Sequence, residues 1–395
     1  MLTEWGLAVD ATNIALARAL LAQQGSVNRI EVQTLRSLWN RLSNSTAHSP
    51  VQSDATTAPP DRAAAKALAT LYANQLPITP TTMELAHEWV NGPPQLAHSL
   101  AELENALTDA IRQLRSPGQH SLAAQDLLAE LEQAVQRTAL WSVPLDSSAT
   151  IVARRLPASL AAAGIPQDTM LSEYTDLAGL LQRAERGEGP LASADVQALL
   201  QAVGEAESDN PGRWLQHLAS KVHSFLSQLD ADSRLTPSLL RLQGQIDRVA
   251  TDLASIQLIN TGHSATMAAD VAYMFPLPMT TPDGPSTAYI KVYRRNGHSE
   301  IDPQNVRLAL IFDLPELGEM TFNLSIVEQR LNGQILTLRD RTHHLVLEQL
   351  SELRDNLDQL GYQVEGLTCG RLVTSPGNDE TVSQNTSSHL INLKA

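Results

Sequence analysis

Val306-Arg307-Leu308-Ala309-Leu310-Ile311-Phe312, then Leu314-Pro315-Glu316-Leu317-Gly318, then Met320-Thr321-Phe322-Asn323-Leu324-Ser325-Ile326: this run decides the fold of the C-terminal part of the chain. Val306, Leu308, Leu310 and Phe312 share one side of an extended backbone, and Met320, Phe322, Leu324 and Ile326 share one side of the next. That period of two is what a half-buried strand requires. Between the two runs Pro315 has no N–H to give to a ladder, Leu317 can plug the end of a sheet, and Gly318 permits a close bend. Consecutive strands joined by a tight turn are predicted.

Working outward, Tyr289, Lys291 and Tyr293 alternate with Ile290, Val292 and Arg294, which predicts a strand upstream. Before it, Pro276-Leu277-Pro278 and Pro282-Asp283-Gly284-Pro285 read as punctuation. Downstream, Asn332-Gly333 matches the two-residue hairpin signal, since both central residues of a type I′ turn need positive φ. Ile335, Leu336 and Leu338 would then form the returning strand. A helix is predicted over 342–360, with Val346, Leu350, Leu353, Leu357 and Leu360 on one stripe and Gly361 as its stop. Each of those side chains contributes about 1.5–3 kcal/mol on full burial, enough to anchor the helix on a sheet. A last strand, 362–369, leads into a polar tail.

The first 270 residues read differently. Helical spacing runs over 12–24, capped by Asp10 or Thr12, and again through Ile30, Leu35, Leu38, Trp39 and Leu42. Ser43 to Asp61 is rich in Ser, Thr, Ala and Pro without a period and reads as a linker. Leu96, Leu100, Leu103, Leu107, Ile111 and Leu114 form one stripe, and Leu128, Leu131 and Val135 another beyond the Ser116-Pro117-Gly118 break. Further helices are predicted over 172–184, 193–205 and 214–229. A longer one carries Leu239, Leu242, Ile246, Val249, Leu253 and Ile256 and is expected to end at Asn260-Thr261-Gly262. The stretch 7–17 recurs in outline at 76–86, an apolar extended pair before a capped helix, with a third degraded copy beginning at Gly164. This is either an internal repeat or the common look of cap-plus-helix openings.

The predicted fold class is α+β: a largely α-helical N-terminal region, then a small C-terminal α+β domain with a mixed sheet and one long packing helix. The predicted divisions are a helical unit at 1–45, a linker at 46–61, a helical region at 62–270, the α+β domain at 285–372 and a disordered tail at 373–395.

Charge and composition narrow the function. The chain has 28 basic and 43 acidic residues, net −15, which repels phosphate backbones and anionic surfaces, so nucleic acid is not an expected partner. No run of about 18 apolar residues exists to insert in a membrane. The start of the chain, with Glu4 and Asp10, lacks the basic opening and apolar core of a signal peptide. Cys369, the single cysteine, excludes an internal disulfide and a cysteine-built zinc site.

No phosphate-binding glycine loop occurs. Gly262-His263-Ser264 breaks the nucleophile-elbow frame at Thr266 and reads as the turn after a helix. Asp230-Ala231-Asp232 opens like a calcium loop but has Leu235 and Arg241 where Gly and Glu belong. The His residues are scattered. No catalytic residue, cofactor or metal is therefore predicted, and the chain is read as a non-enzyme.

The run 308–364 resembles the C-terminal domain of flagellar hook-length control proteins. Leu314-Pro315-Glu316-Leu317-Gly318-Glu319-Met320-Thr321-Phe322-Asn323-Leu324 is similar to the family's turn and strand, and Leu350-Ser351-Glu352-Leu353-Arg354-Asp355-Asn356-Leu357 with Leu360-Gly361 to its helix. The resemblance implies a binding module acting at a type III export apparatus, cytoplasmic and open to export through it. Its implied partner is the cytoplasmic domain of the export-gate protein, which such domains switch from hook-type to filament-type substrates, with hook and hook-cap subunits as further partners. By motif position it implies protein-binding roles for Leu317, Gly318, Met320, Phe322 and Leu353, each of which could equally be core. The family's N-terminal part is a loosely folded, secreted molecular ruler, whereas this chain is strongly helical there.

Overall fold

The structure is a computed structural model that describes residues 2–24, 27–46, 59–116, 121–141, 143–144, 211–229, 233–265, 271–293, 305–359 and 362–372. The third copy of the repeat, the helices predicted over 172–184 and 193–205, the Asp230-Ala231-Asp232 segment, Gly361 and the tail lie outside these residues. Among the described residues the helices are α1 (Ala11–Gln24), α2 (Arg29–Thr46), α3 (Arg62–Ala73), α4 (Pro80–Asn91), α5 (Leu96–Leu114), α6 (Leu122–Trp141), α7 (Pro211–Leu226), α8 (Thr236–Ala265) and α9 (Asp340–Gln359). The strands are β1 (Val143–Pro144), β2 (Val271–Thr281), β3 (Gly284–Tyr293), β4 (Asn305–Leu314), β5 (Gly318–Val327), β6 (Arg330–Thr337) and β7 (Gln363–Arg371).

Local chemistry starts the helices where the sequence places them. Asp10 accepts the Asn13 N–H at 2.8 Å, and Thr79 accepts the Thr82 N–H at 3.2 Å, so each satisfies an orphan donor of a first turn. The two caps share a second bond. Asn13 Nδ2 donates to the Ala8 carbonyl and Thr82 Oγ1 to the Pro77 carbonyl, both at 2.7 Å. Positions 8, 10 and 13 thus match 77, 79 and 82 in sequence offset and in geometry, which favours the internal-repeat reading. Asp61, in the predicted linker, caps α3 by accepting the Ala64 N–H at 2.6 Å.

Packing follows the stripes. Leu16, Leu20, Leu35 and Leu68 close a small core among α1, α2 and α3. Leu103, Leu107, Leu131, Leu215, Leu242 and Val249 belong to the larger core of α5, α6, α7 and α8. All six apolar residues of the α8 seam are buried, each contributing about 1.5–3 kcal/mol. Trp141 and Trp214 meet edge to face at 5.6 Å in the same core. Ala67, Leu71, Leu76 and Ala86 join α3 to α4, and Leu258 of α8 packs against them, which links the two cores.

Among the described residues the sheet has seven strands, whose spatial order is their chain order. β2 through β6 form an antiparallel meander, and β6 and β7 are parallel, connected through α9. One face of the sheet lies toward α9. The other, at β2 and β3, lies toward α5 and α8. There Ala97 N–H donates to Thr287 Oγ1 at 2.9 Å, Tyr289 donates its hydroxyl proton to the Pro94 carbonyl, and Trp89 meets Tyr289 edge to face. Ser99 donates to the buried Asp252 carboxylate at 2.6 Å in the same layer.

Three local expectations change. The sequence places a hairpin turn at Asn332-Gly333, but the turn falls at Glu328 and Gln329, with φ of 50° and 71°, between the paired Val327 and Arg330. The I′-like requirement for two positive φ values holds, while the residues meeting it are poor at it. Gly333 instead sits inside β6, where a Cβ would come within 2.7 Å of Leu367 Cδ1 and 3.2 Å of Leu324 Cδ2. The glycine there serves close approach.

Second, α8 runs on through Asn260, Thr261 and Gly262 to Ala265, so Gly262-His263-Ser264 is helical, not a turn. Asn260 does not cap the helix. Its side chain donates to the Met274 carbonyl at 2.7 Å and accepts the Met274 N–H at 2.8 Å, clamping the edge of β2.

Third, the proline-marked stretch 276–278 is part of β2. Alternate residues of a strand turn their backbone groups to opposite sides, and Met274 turns both of its groups outward to Asn260. Pro276 and Pro278 share that phase, so the missing N–H groups fall on the outer side and cost the β2–β3 ladder nothing.

Candidate functional site

The site begins at the turn between β4 and β5. Leu314 pairs with Gly318, leaving Pro315, Glu316 and Leu317 to make the bend. Gly318 takes φ +72°, a conformation that costs other residues a Cβ clash. A Cβ at Gly318 would also lie 2.8 Å from Arg339 Nε. The guanidinium lies over the turn because Arg339 Nη1 donates to the Pro315 carbonyl at 2.8 Å and to the Glu316 carbonyl at 3.0 Å. Thr342 Oγ1 donates to the Leu317 carbonyl at 2.6 Å. The three turn carbonyls are therefore held by Arg339, just before α9, and Thr342, in its first turn, which fixes the bend to the helix.

Below the turn, Leu277, Met279, Ala288, Leu314 and Met320 form a buried cluster. Ile290, Phe312, Leu317, Phe322 and Val346 pack on it while remaining partly open. Strand register explains the grouping: Phe275 faces Ile290, Ile290 faces Leu310, Leu310 faces Phe322, and Phe322 faces Ile335, so all stand on the α9 side. Phe312 and Phe322 meet edge to face at 5.6 Å. α9 lies over β7 and β6, and its cluster contact is Val346. Val306, Leu308, Leu310, Leu324 and Ile326 of the same face are half-buried.

Of the five residues singled out in the sequence, the structure brings Leu317, Met320 and Phe322 together in this cluster, with Gly318 in the adjoining turn. Met320 is 6% exposed and fills the core. Leu317 and Phe322 are half-buried at its open rim. Leu353 is half-buried farther along α9 and is not part of the cluster. Sequence reasoning missed Arg339 and Thr342. A signal existed for the first: a cation at a helix N-terminus opposes the helix dipole, so Arg339 and Arg341 flanking Asp340 suggest a charge engaged elsewhere. Leu345 and Leu347, both exposed on α9, were hidden by the stripe pattern.

The electrostatics near the sheet are those of a packed domain. Burial pulls the Lys291 ammonium below its usual range against the opposing pull of Glu319, and burial together with Asp313 pushes Glu319 up. Both stand on the face opposite α9. Burial also raises the Cys369 thiol, whose sulfur lies 3.2 Å from His343 Nδ1. Arg307 stacks over Tyr293 at 5.5 Å. Among the described residues no group of three or more His, Cys, Asp or Glu is placed to hold a metal ion, and no helix is long and apolar enough to cross a membrane.

An antiparallel meander, a crossover helix clamped to a glycine turn, and an apolar face only partly covered define a small α+β module. The particular family is given by comparison. Residues 294–376 match the family described as flagellar hook-length control protein FliK, so the C-terminal part of the chain is similar to a hook-length control domain. The match spans β4 to β7 with α9 and leaves β2 and β3 outside it. No curated protein and no solved structure matches the chain.

Proposed function

We propose that this chain acts in flagellar assembly as a specificity switch, its C-terminal domain docking on the cytoplasmic domain of the export-gate protein and turning export from hook-type to filament-type subunits. The observation that carries this reading is the family match over 294–376. The geometry supports it through the open rim formed by Leu317 and Phe322 beside α9, where an apolar partner surface finds half-buried side chains on a backbone held by Arg339 and Thr342. Gly318 and Met320 shape that rim from beneath. Leu353 extends it along the helix. Hook and hook-cap subunits are further partners, and the chain works in the cytoplasm before leaving through the export apparatus.

The test is titration calorimetry of the full chain with the gate's cytoplasmic domain. Phe322→Asp or Leu353→Asp is expected to abolish binding while circular dichroism stays unchanged. Unaltered affinity in a folded variant would refute the docking role.

A second reading is favoured by the ties between helices and sheet. Thr287, Tyr289 and Met274 all bond to the helical layer, so helices and sheet cohere as one folded body. A helix advances about 1.5 Å per residue and an extended chain about 3.3–3.6 Å, so such a body must unfold to serve as a ruler. A structural adaptor that reuses the domain would never be secreted. Detection of the chain in culture supernatant by immunoblot eliminates the adaptor.

A further inference from the structure

The face of the sheet that carries α9 is covered unevenly. α9 lies over β7 and β6, and Val346 is its contact with the buried cluster. Ile290, Leu308, Leu310, Phe322, Leu324 and Ile326 stand on that same face of β3, β4 and β5, and each is half-buried. Every side chain of β4 and β5 on this side is apolar. A contiguous strip of this kind calls for something to lie on it.

One wall of the strip is α9. Asp340, His343 and Asp358 reach Arg371, Cys369 and the Val364 N–H, so that flank of the helix faces β7. Leu345 lies about 200° around the helix from His343 and so stands on the other flank, toward β5. There it is 44% exposed. Helix flank and open strands together make a groove, closed at one end by the 315–317 turn. A second copy of the sheet does not fit it. α9 stands about 10 Å proud of the strands, and the exposed Arg341, Glu348 and Asp355 on its far side would be buried without partners against an apolar face.

The chain itself carries an occupant of the required chemistry. β7 ends at Arg371, and Leu372 N–H donates to the Thr337 carbonyl at 2.9 Å. Thr337 pairs with Met320, and Met320 with Phe312, so the chain leaves the sheet at the end where the groove meets the turn. From β7 to β4 is three strands, about 14 Å. Residues 373–389 reach about 55 Å when extended. After that spacer comes Leu390-Ile391-Asn392-Leu393, where the large aliphatic side chains beyond Val382 are gathered. Thr381 to Leu393 contains no Asp, Glu, Lys or Arg, which suits a floor without charge.

We propose that residues 390–393 fold back into this groove, seating Leu390, Ile391 and Leu393 on Leu308, Leu310, Phe322 and Leu324. An attached segment is present at an effective concentration of about millimolar, which lets a contact of a few side chains close. Phe322 belongs both to this cover and to the rim described for docking. A partner that docks there displaces the segment, a consequence that rests on the docking reading; the cover itself does not.

Photo-crosslinking within the full chain tests the proposal. Leu390 is replaced by p-benzoylphenylalanine, the protein is irradiated, and the tryptic peptides are read by mass spectrometry. Crosslinks are expected to Leu308–Arg330, the fragment that holds the floor of the groove, in protein that stays monomeric on a denaturing gel. Crosslinks confined to other fragments, crosslinks that join two chains, or none at all overturn it. Leu390→Asp combined with Leu393→Asp leaves the sheet untouched and is expected to raise binding of the apolar dye ANS by at least about twofold, with unchanged circular dichroism. Unchanged dye binding in that variant also overturns the cover. Failure of the export-gate titration would leave both outcomes as they are.

Discussion

Replacing Gly318 by alanine tests how the turn and α9 hold each other. The substituted residue must adopt φ +72°, at about 1–2 kcal/mol. Its Cβ must also displace Arg339, whose Nε, Cδ and Cγ would lie at 2.8, 3.1 and 3.2 Å. Arg339 is flexible and can swing away, but it then gives up its bonds to the Pro315 and Glu316 carbonyls, each worth about 0.5–1.5 kcal/mol at an exposed site. The expected loss is about 2–5 kcal/mol. In an Arg339→Ala background those bonds are already gone, so Gly318→Ala should cost only the backbone term, about 1–2 kcal/mol. Hydrogen exchange of the β4 and β5 amides reads the local free energy for all four chains of the cycle. Additivity within about 0.5 kcal/mol would mean that the guanidinium does not sense position 318, and the clamp as described would be wrong.

Changing Glu328-Gln329 to Asn-Gly should raise stability by about 1–2 kcal/mol by relieving two positive φ values, while Gly333→Ala should lower it by about 1–3 kcal/mol through crowding with Leu367 and Leu324; urea denaturation distinguishes this placement of the turn from one at 332–333. Asp252, 1% exposed, has a carboxyl raised above the ordinary 3.8 because burial outweighs the Ser99 bond and Arg248. Its protonated form is the one the fold favours, so its contribution to stability is full below the ordinary pKa and is lost as pH rises through the folded pKa. Asp252→Asn should therefore exceed the parent in stability at neutral pH and converge with it in acid, and a parent more stable than the variant at neutral pH would contradict the assignment.

Period and capping made most of the architecture legible. The alternation in 306–312 and 320–326 places β4 and β5 because one face is apolar and the other is not, and the α8 seam is legible because all six of its apolar residues are buried. β2 was not legible, since prolines count against a strand unless the phase of the edge is known, and that phase depends on Asn260 in a distant helix. The hairpin at 328–329 was hidden by a stronger local signal four residues on, where the glycine answers to Leu367 across the sheet. The same limit applies to the site. Leu317 and Phe322 follow from pattern, but Met320 is taken up by the core, and the contacts of Arg339 and Thr342 are tertiary facts with no local period.

The sheet lists its strands in the order in which the chain is made. The β2–β3, β4–β5 and β5–β6 ladders close through connections of two or three residues, so each of these strands can zip onto its predecessor with little loop entropy to overcome, whereas residues 294–304 connect β3 to β4 and β7 must wait for α9. Contacts of much longer separation include the polar ties from Pro94 and Ala97 to Tyr289 and Thr287, which span 195 and 190 residues. Assembly then has a natural sequence: a rapidly closing sheet, and a late docking of the helical layer upon it.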